Sequence, residues 1–240
     1  MKCEIKYAPQ NLADVLIPQA HIRNRVDAYA QGLLEGHIIL WGDNGTGKST
    51  VARLLPSAIG GKSVAVEDKE YDELLNRKDL KDYLRQSCAS NKLFAQSKFF
   101  LVFEEFDNAK VNLHKLWTAM DSCEDELMVI ITTNHPMNIP RSVRDRCDLV
   151  EFGKLNANSV LARAQFILQS EGLTLPDSDV LYYLKQLEWK GSLRGYMRKL
   201  DELLALKAMG LSMPPVPSAS NSATAASANN FTVVSGATIK

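Results

Sequence analysis

The sequence predicts an α/β protein in which helices sandwich a parallel five-stranded sheet, followed by a small three-helix domain. Three observations predict this fold. Apolar runs alternate with amphipathic segments over residues 37–152, a glycine-rich segment at 42–49 follows the first run, and the pattern becomes wholly helical after Gly153. The predicted domains are 1–153 for the sheet with its helices, 154–211 for the three helices and 212–240 for a disordered low-complexity tail.

Alternating short apolar runs and longer amphipathic segments define the elements of the sheet domain. The predicted strands are 37–41, 63–67, 98–103, 127–132 and 148–152. The run at 98–103 is continuously apolar, which is typical of a strand buried on both faces. The predicted helices are 21–34, which Gly36 ends, 48–57, 71–88 and 111–122.

Capping residues define the three helices that follow. Asn158 is predicted to cap a helix through Leu168, Asp177 a helix through Leu187, and Ser192 a helix to about Met209 that Gly210 ends. Beyond them, prolines at 214–217 and a Ser/Ala/Asn-rich run to Asn230 indicate a disordered tail. Residues 231–234 are mostly apolar and could pair as a strand with another element, but a flexible chain end is the favoured prediction.

Composition excludes several classes of protein. The 240 residues are 45% hydrophobic and 23% charged, as in ordinary globular proteins. No apolar stretch approaches the ~20 residues that span a bilayer, and the N-terminus lacks the apolar core of a signal peptide. We therefore expect no membrane partner and a cytoplasmic or nucleoid-associated location. The four cysteines form no C-x-x-C pair, which argues against zinc and disulfides.

The charge balance is neutral overall. Lys plus Arg and Asp plus Glu each number 28. A protein that grips DNA through bulk positive charge shows an excess of basic residues, so composition alone does not favour DNA binding. A local basic patch is compatible with this total.

The glycine-rich segment fits the pattern G-x-x-x-x-G-K-[ST] of a phosphate-binding loop between a strand and a helix. In such loops backbone N–H groups curl around the β-phosphate, Lys48 reaches the β- and γ-phosphates, and the Ser49 hydroxyl binds Mg²⁺. The predicted nucleotide-binding residues here are Gly42, Asp43, Asn44, Gly45, Thr46, Gly47, Lys48, Ser49 and Thr50. A chance glycine-rich turn is the alternative.

Two acidic residues follow the apolar strand at 98–103. At the carboxyl end of a strand beside a phosphate loop, Glu104 is predicted to hold Mg²⁺ through a water and Glu105 to act as general base on the attacking water. The alternative is a solvated strand end. Asn134 follows the next strand. Its side-chain amide is expected either to lie between the γ-phosphate and the attacking water or only to cap the turn before Pro136.

Further motifs recur in an order that resembles the AAA+ ATPases of the clamp-loader type, the replication factor C and DNA polymerase III small subunits. Segment 138–147 resembles their S-R-C box, and Glu104 with Glu105 resembles their Walker B motif. Residues 6–9 resemble the Y-R-P box, and 191–194 resemble the G-x-x-R start of the sensor 2 helix. The matches extend over about residues 6–205. The predicted fold is thus an AAA+ P-loop NTPase whose three helices form a lid.

The resemblance implies a role for each matching residue. Arg146 is an arginine finger that acts in trans on ATP of the neighbouring subunit, Arg194 contacts the γ-phosphate of its own subunit, and Asn134 is sensor 1. Tyr7 and Pro9 frame the adenine pocket. For both arginines, a surface ion pair is the alternative.

The resemblance also implies ATP and Mg²⁺ as cofactors and an ATPase reaction. The expected assembly is a homo- or hetero-oligomer of AAA+ subunits that acts on DNA in replication, with a sliding clamp or helicase as protein partner. The helix faces expected to contact DNA carry Lys81, Arg85, Lys110 and Lys115. Solvated helix faces explain these four residues equally well.

Three departures from the family pattern stand out. Glu104 replaces the metal-binding Asp, Asp145 replaces the Ser of the S-R-C box, and Ala8 replaces the Arg of the Y-R-P box. The sequence also ends where clamp loaders add a helical collar, so assembly is expected through the ATPase units or other proteins.

Two alternatives remain open. One is a nucleotide-gated switch or adaptor with little hydrolysis, such as a helicase loader or recombination regulator. The other is a viral superfamily 3 helicase, which the sensor 2 match at 191–194 disfavours.

Overall fold

A single parallel sheet forms the centre of the protein. The computed structural model describes residues 2–61, 66–67, 74–95, 98–106, 114–123 and 125–217. The strands are β1 (His37–Gly42), β2 (Val66–Glu67), β3 (Phe99–Phe103), β4 (Leu127–Thr133) and β5 (Cys147–Phe152). They lie in the order β2-β3-β4-β1-β5, and each neighbouring pair is parallel. The predicted parallel five-stranded sheet is confirmed, although most of the strand predicted at 63–67 lies outside the described residues.

Helices connect the strands and continue beyond the sheet. They are α1 (Cys3–Lys6), α2 (Ala20–Ala30), α3 (Lys48–Gly60), α4 (Leu80–Ala95), α5 (His114–Ser122), α6 (Arg141–Arg144), α7 (Ala157–Ser170), α8 (Asp177–Lys185) and α9 (Leu193–Ala208). Short 3₁₀ turns occur at Leu12–Asp14 and Pro136–Asn138. None of the described helices is both long and apolar enough to cross a membrane.

The two faces of the sheet bury different side chains, as the period of two in a strand requires. Along β3, Phe100 and Val102 pack with α2 and α3 on one face, while Leu101 and Phe103 pack with α4 and α5 on the other. All five residues of β3 are buried. The sandwich of helices around a fully buried central strand is therefore confirmed.

Helices α7, α8 and α9 share a third hydrophobic core. Tyr183 and Tyr196 are its largest fully buried side chains. Two segments predicted to belong elsewhere also contribute to this core. Cys3 of α1 is buried in it, and Met213 and Val216 pack against it from the segment after α9. The folded unit thus continues past the predicted start of the tail at 212, and residues 218–240 lie outside the described residues.

Several helix boundaries differ from the predictions for local reasons. Helix α2 ends at Ala30, because Gly32 adopts a left-handed backbone conformation with φ +70°. The helix was predicted to continue to residue 34 and to be ended by Gly36. The helix predicted at 71–88 is α4, which begins at Leu80 and continues to Ala95.

The caps of the last helices also differ in part. Asn156, and not Asn158, caps α7, because its Oδ1 accepts a hydrogen bond from the Ser159 N–H at 2.8 Å. Asp177 is the first residue of α8 and not its cap, and that helix ends at Lys185. Ser192 precedes α9 as predicted.

Candidate functional site

The glycine-rich loop joins β1 to α3, as the motif requires. The Lys48 ammonium group is buried beneath the loop and donates hydrogen bonds to the carbonyl oxygens of Gly42 at 2.8 Å and Asp43 at 2.7 Å. The Thr46 hydroxyl donates to the Asp43 carbonyl at 2.9 Å, which closes the turn. The loop is therefore folded around its own lysine in a geometry that leaves backbone N–H groups for an anion.

Two glycines of this loop stand where no side chain fits. A Cβ on Gly42 would overlap the carbonyl oxygen of Phe152 in β5, and a Cβ on Gly45 would overlap the Ser192 hydroxyl. The Gly45 carbonyl also accepts a hydrogen bond from the Leu193 N–H at 2.8 Å. The loop thus directly contacts the start of α9.

A cavity of about 300 Å³ opens beside the loop. The predicted site residues among those that line it are Tyr7, Pro9, Asn44, Gly45, Gly47, Lys48, Ser49, Thr50, Glu105, Asn134 and Arg194. The fold therefore brings together residues from both ends of the described chain. Three residues of the loop do not line the cavity: Gly42, Asp43 and Thr46. Glu104 and Arg146 do not line it either.

Glu105 is held in an uncommon backbone conformation with φ +51°. Its N–H donates to the Thr132 hydroxyl at 3.1 Å, and the next N–H, from Phe106, donates to the Thr132 carbonyl at 2.9 Å. Phe106 is buried and anchors the turn against Phe103. A left-handed conformation at a non-glycine residue is costly, and such strain occurs preferentially at functional sites. Here it directs the Glu105 side chain to the cavity.

Glu104 lies against α3. Its two carboxylate oxygens accept hydrogen bonds from Nε and Nη2 of Arg53, the second at 2.6 Å. The Glu104 side chain is 19% exposed, whereas Arg53 is 63% exposed and lines the cavity. Glu104 is thus ion-paired to a residue that the sequence did not indicate.

Arg194 lies in the first turn of α9 and faces the cavity. Its Nε donates to Glu4 Oε1 of α1 at 3.0 Å. Helix α1 is fixed to α9 by a second contact, in which the Cys3 N–H donates to Asp201 Oδ1 at 2.8 Å. Arg194 is therefore ion-paired within its own chain, on the wall of the cavity.

Tyr7 and Pro9 also line the cavity. The Tyr7 hydroxyl donates to Glu171 Oε1 at 2.7 Å, and this hydrogen bond raises the pKa of the phenol. The Tyr7 carbonyl accepts a hydrogen bond from Arg163 Nη2 at 2.6 Å. Arg163 of α7 also lines the cavity, so it supplies a cation near the position where Ala8 carries none.

Arg146 does not line the cavity and is bonded to Asp121 of α5 instead. Its Nε and Nη2 donate to the two oxygens of Asp121 at 2.5 and 2.7 Å, and its Nη1 donates to the Ser142 carbonyl at 2.7 Å. The guanidinium also lies 4.8 Å from the ring centre of Trp117. The Asp121 carboxylate raises the pKa of Arg146, and Arg146 lowers that of Asp121.

The four basic residues predicted to contact DNA are only partly described. Lys81 and Arg85 are exposed on α4. Lys115 lies in α5 with its side chain outside the described residues, and Lys110 lies outside them altogether.

Sequence reasoning missed several residues of the site. Arg53, Arg163, Thr132 and Glu4 all line the cavity. Only Arg53 had a local signal, since it lies one helical turn after Ser49 on the same face of the helix. The others reach the cavity through tertiary packing.

The loop and its surroundings correspond to one protein family. The model of the ATPase family associated with various cellular activities (AAA) matches residues 38–155, from the first strand to the start of the helical region. Residues 38–155 are an AAA domain. The predicted resemblance to AAA+ ATPases of the clamp-loader type is thereby confirmed.

Replication factor C subunits are among the similar proteins. The chain is 23% identical over 210 residues to the large subunit of Pyrococcus horikoshii, which covers 83% of this chain and 42% of that protein. It is 25% identical over 214 residues to the small subunit of Staphylothermus marinus, which covers 85% of this chain and 61% of that protein. The chain therefore spans about 40 to 60% of the length of these relatives.

Solved structures share the fold of the AAA domain and the helices that follow it. Two RuvB variants of Thermotoga maritima superpose with TM-scores of 0.65 and 0.66 at 15% identity. They cover 85% and 87% of this chain and 67% and 70% of those chains. At this level of identity the likeness shows a common fold.

The residues of the phosphate loop and the cavity fit a nucleoside triphosphate with a bound cation. The close approaches at Gly42 and Gly45 shape an anion cradle, and Lys48 and Arg194 line the cavity with positive charge. Within the described ranges, no group of three or more His, Cys, Asp or Glu side chains could hold a metal ion. A cation beside the Ser49 hydroxyl would therefore take most of its oxygen ligands from phosphate and water, as Mg²⁺ prefers.

Proposed function

We propose that this chain binds and hydrolyses ATP as a clamp-loader-like AAA+ protein that assembles through ATP at subunit interfaces and acts on DNA in replication. One observation carries the proposal. A single cavity brings Lys48 and the phosphate loop together with Glu105, Asn134 and Arg194, which come from four separate segments of the chain. Similarity to replication factor C subunits supports the replication context.

The proposed reaction is transfer of the γ-phosphoryl group to water. The water oxygen forms a bond to the γ-phosphorus while the bond to the bridging oxygen breaks, and ADP and phosphate leave. Glu105 accepts the proton of the attacking water, and Asn134 orients that water beside the γ-phosphate. Mg²⁺, when bound by Ser49 and, through water, by Glu104, supplies charge neutralisation at the β- and γ-phosphates.

Arg194 connects ATP to the helical region. The start of α9 contacts the phosphate loop through Leu193, which places Arg194 near the phosphates of a bound ATP. The γ-phosphate would then replace Glu4 as the partner of Arg194. We expect this exchange to close α7–α9 over the cavity when ATP, but not ADP, is present.

Arg146 is proposed to complete the site of a neighbouring subunit. An arginine finger is worth about 10³- to 10⁵-fold in rate. In the single chain its guanidinium is bonded to Asp121. Assembly would therefore have to withdraw Arg146 from this carboxylate, which couples hydrolysis to a correct interface.

Turnover by mixed subunits tests this mechanism. Lys48→Ala and Arg146→Ala proteins should each be inactive, because one lacks the phosphate contact and the other lacks the finger. Mixed, they should recover activity at hybrid interfaces that carry an intact loop and an intact finger. Failure to recover at any mixing ratio would contradict action in trans.

Glu105→Gln protein should bind ATP and fail to hydrolyse it.

DNA contact is a separate part of the proposal. Lys81 and Arg85 of α4, with Lys110 and Lys115, are proposed to contact phosphates of primed DNA. Replacing Lys81 and Arg85 by Gln should lower DNA-stimulated turnover and reduce its salt dependence. An unchanged salt slope would contradict this contact.

A slow nucleotide-gated switch is the second candidate function. The ion pairs of Glu104 with Arg53 and of Arg146 with Asp121 favour it, since each occupies a group that hydrolysis requires. Turnover measured with and without primed DNA separates the two, because a switch would assemble with ATP and show little hydrolysis under both conditions.

A further inference from the structure

Arg53 lines the cavity, and neither the motif nor the proposed reaction uses it. It lies four residues after Ser49 in α3, so both side chains are on the same face of the helix. Its guanidinium forms two hydrogen bonds with the carboxylate of Glu104, one to each oxygen. Both oxygens through which Glu104 would hold the water of a cation are therefore engaged by Arg53.

The exposure of the two partners decides what this pair can do. Glu104 is 19% exposed, so its carboxylate is largely shielded and gains from a partner. Arg53 is 63% exposed, so its guanidinium regains water when it leaves the carboxylate, while the shielded carboxylate then needs another cation as its partner. A cation can therefore displace Arg53 from Glu104, so the ion pair is not a permanent structural link.

We infer that Arg53 competes with Mg²⁺ for Glu104 and thereby limits the gain in ATP affinity that Mg²⁺ brings. The inference rests on the proposed ATP site. Without a cation, ATP binds while the Arg53–Glu104 pair persists. With Mg²⁺, a metal-bound water and the Arg53 guanidinium compete for the same carboxylate charge, so each weakens the hold of the other on Glu104. Arg53 therefore acts as a positioning residue, through Glu104, and lowers the benefit that Mg²⁺ brings to ATP binding.

The measurable quantity is a ratio of two ATP dissociation constants. A fluorescent, non-hydrolysable ATP analogue is titrated with protein in EDTA and again in saturating Mg²⁺, and the first constant is divided by the second. Removing the competitor with Arg53→Met should raise this ratio about two- to fivefold, the range of a largely exposed ion pair. Binding is measured without turnover, so the result does not depend on hydrolysis.

Two further variants show whether the effect passes through Glu104. Glu104→Gln should lower the ratio, because the cation loses a charged acceptor. In the Glu104→Gln background, Arg53→Met should leave the ratio unchanged. Arg25→Met is the matched control, because Arg25 of α2 binds the Asp148 carboxylate through the same two nitrogens, Nε and Nη2, and neither residue lines the cavity.

The outcomes separate the possibilities. A ratio that Arg53→Met leaves unchanged or lowers would overturn the inference while the proposed ATP site stands. An equal rise in the Glu104→Gln background would also overturn it, since Arg53 would then act on the cation by bulk charge. Absence of ATP binding by the unsubstituted chain would overturn the proposed function and this inference together.

Discussion

The contact between the phosphate loop and helix α9 gives the sharpest structural prediction. Gly45 has φ +76°, and a Cβ there would overlap the Ser192 hydroxyl. Gly45→Ala therefore adds a left-handed alanine, at a cost of about 1 to 2 kcal/mol. The Ser192 hydroxyl must also rotate away and the start of α9 must shift slightly, because Ser192 Cβ would lie 3.2 Å from the new Cβ, and this weakens the hydrogen bond from the Leu193 N–H to the Gly45 carbonyl at a cost of about 1 kcal/mol. We expect the free energy of unfolding to fall by about 2 to 3 kcal/mol.

Gly32→Ala is the matched control. Gly32 has φ +70°, nearly the same backbone conformation, but a Cβ there would meet nothing within 4 Å. It should pay only the backbone cost, so urea titration should show a difference of about 1 kcal/mol between the two variants. If Gly45→Ala costs no more than Gly32→Ala, the contact between the loop and α9 adds nothing to stability and the coupling of ATP to the helical region loses its support.

Two further predictions concern stability. His37 is buried and its Nδ1 accepts a hydrogen bond from the Val129 N–H, and burial lowers the pKa of the imidazole from 6.5 to about 4. The unfolded chain therefore binds a proton between these values that the folded chain does not, so the free energy of unfolding should fall by about 3 kcal/mol from pH 6.5 to pH 4. His37→Asn should flatten this slope in denaturant titrations, and an equal flattening with the exposed His135→Gln would contradict the assignment. Asn156→Ala should cost about 1 kcal/mol, since Asn156 caps α7. Asn158→Ala should stay within about 0.5 kcal/mol, and a reversed order in thermal unfolding would disprove the cap.

The sheet could be predicted because its signals are local. The run Phe99–Phe103 is apolar throughout since both faces of β3 are covered by helices. The loop at 42–49 was likewise readable, because the motif encodes both the turn and the residues of the cradle. Helix ends were less predictable. Asn156 and Asn158 are both good caps, and only the conformation of the chain entering α7 decides between them.

The partners of the charged residues could not be predicted from the sequence. Arg194 and Glu4 are 190 residues apart, and Arg53 and Glu104 are 51 apart. Each pair depends on how helices pack on the sheet or on one another. Cys3 shows the same limit, because the apolar contacts of a four-residue helix with α9 leave no periodic signal.

Binding of ATP to the unsubstituted chain and to Lys48→Ala protein tests the central claim most directly. The Lys48 ammonium group lies in the cavity wall, and losing its charged contact to phosphate should weaken ATP binding at least about tenfold in calorimetry. Lys92→Ala is the control, because Lys92 pairs with Glu126 and does not line the cavity. We expect tight binding of ATP to the unsubstituted and Lys92→Ala proteins and weak binding to Lys48→Ala protein. Equal affinity of all three proteins for ATP would contradict it.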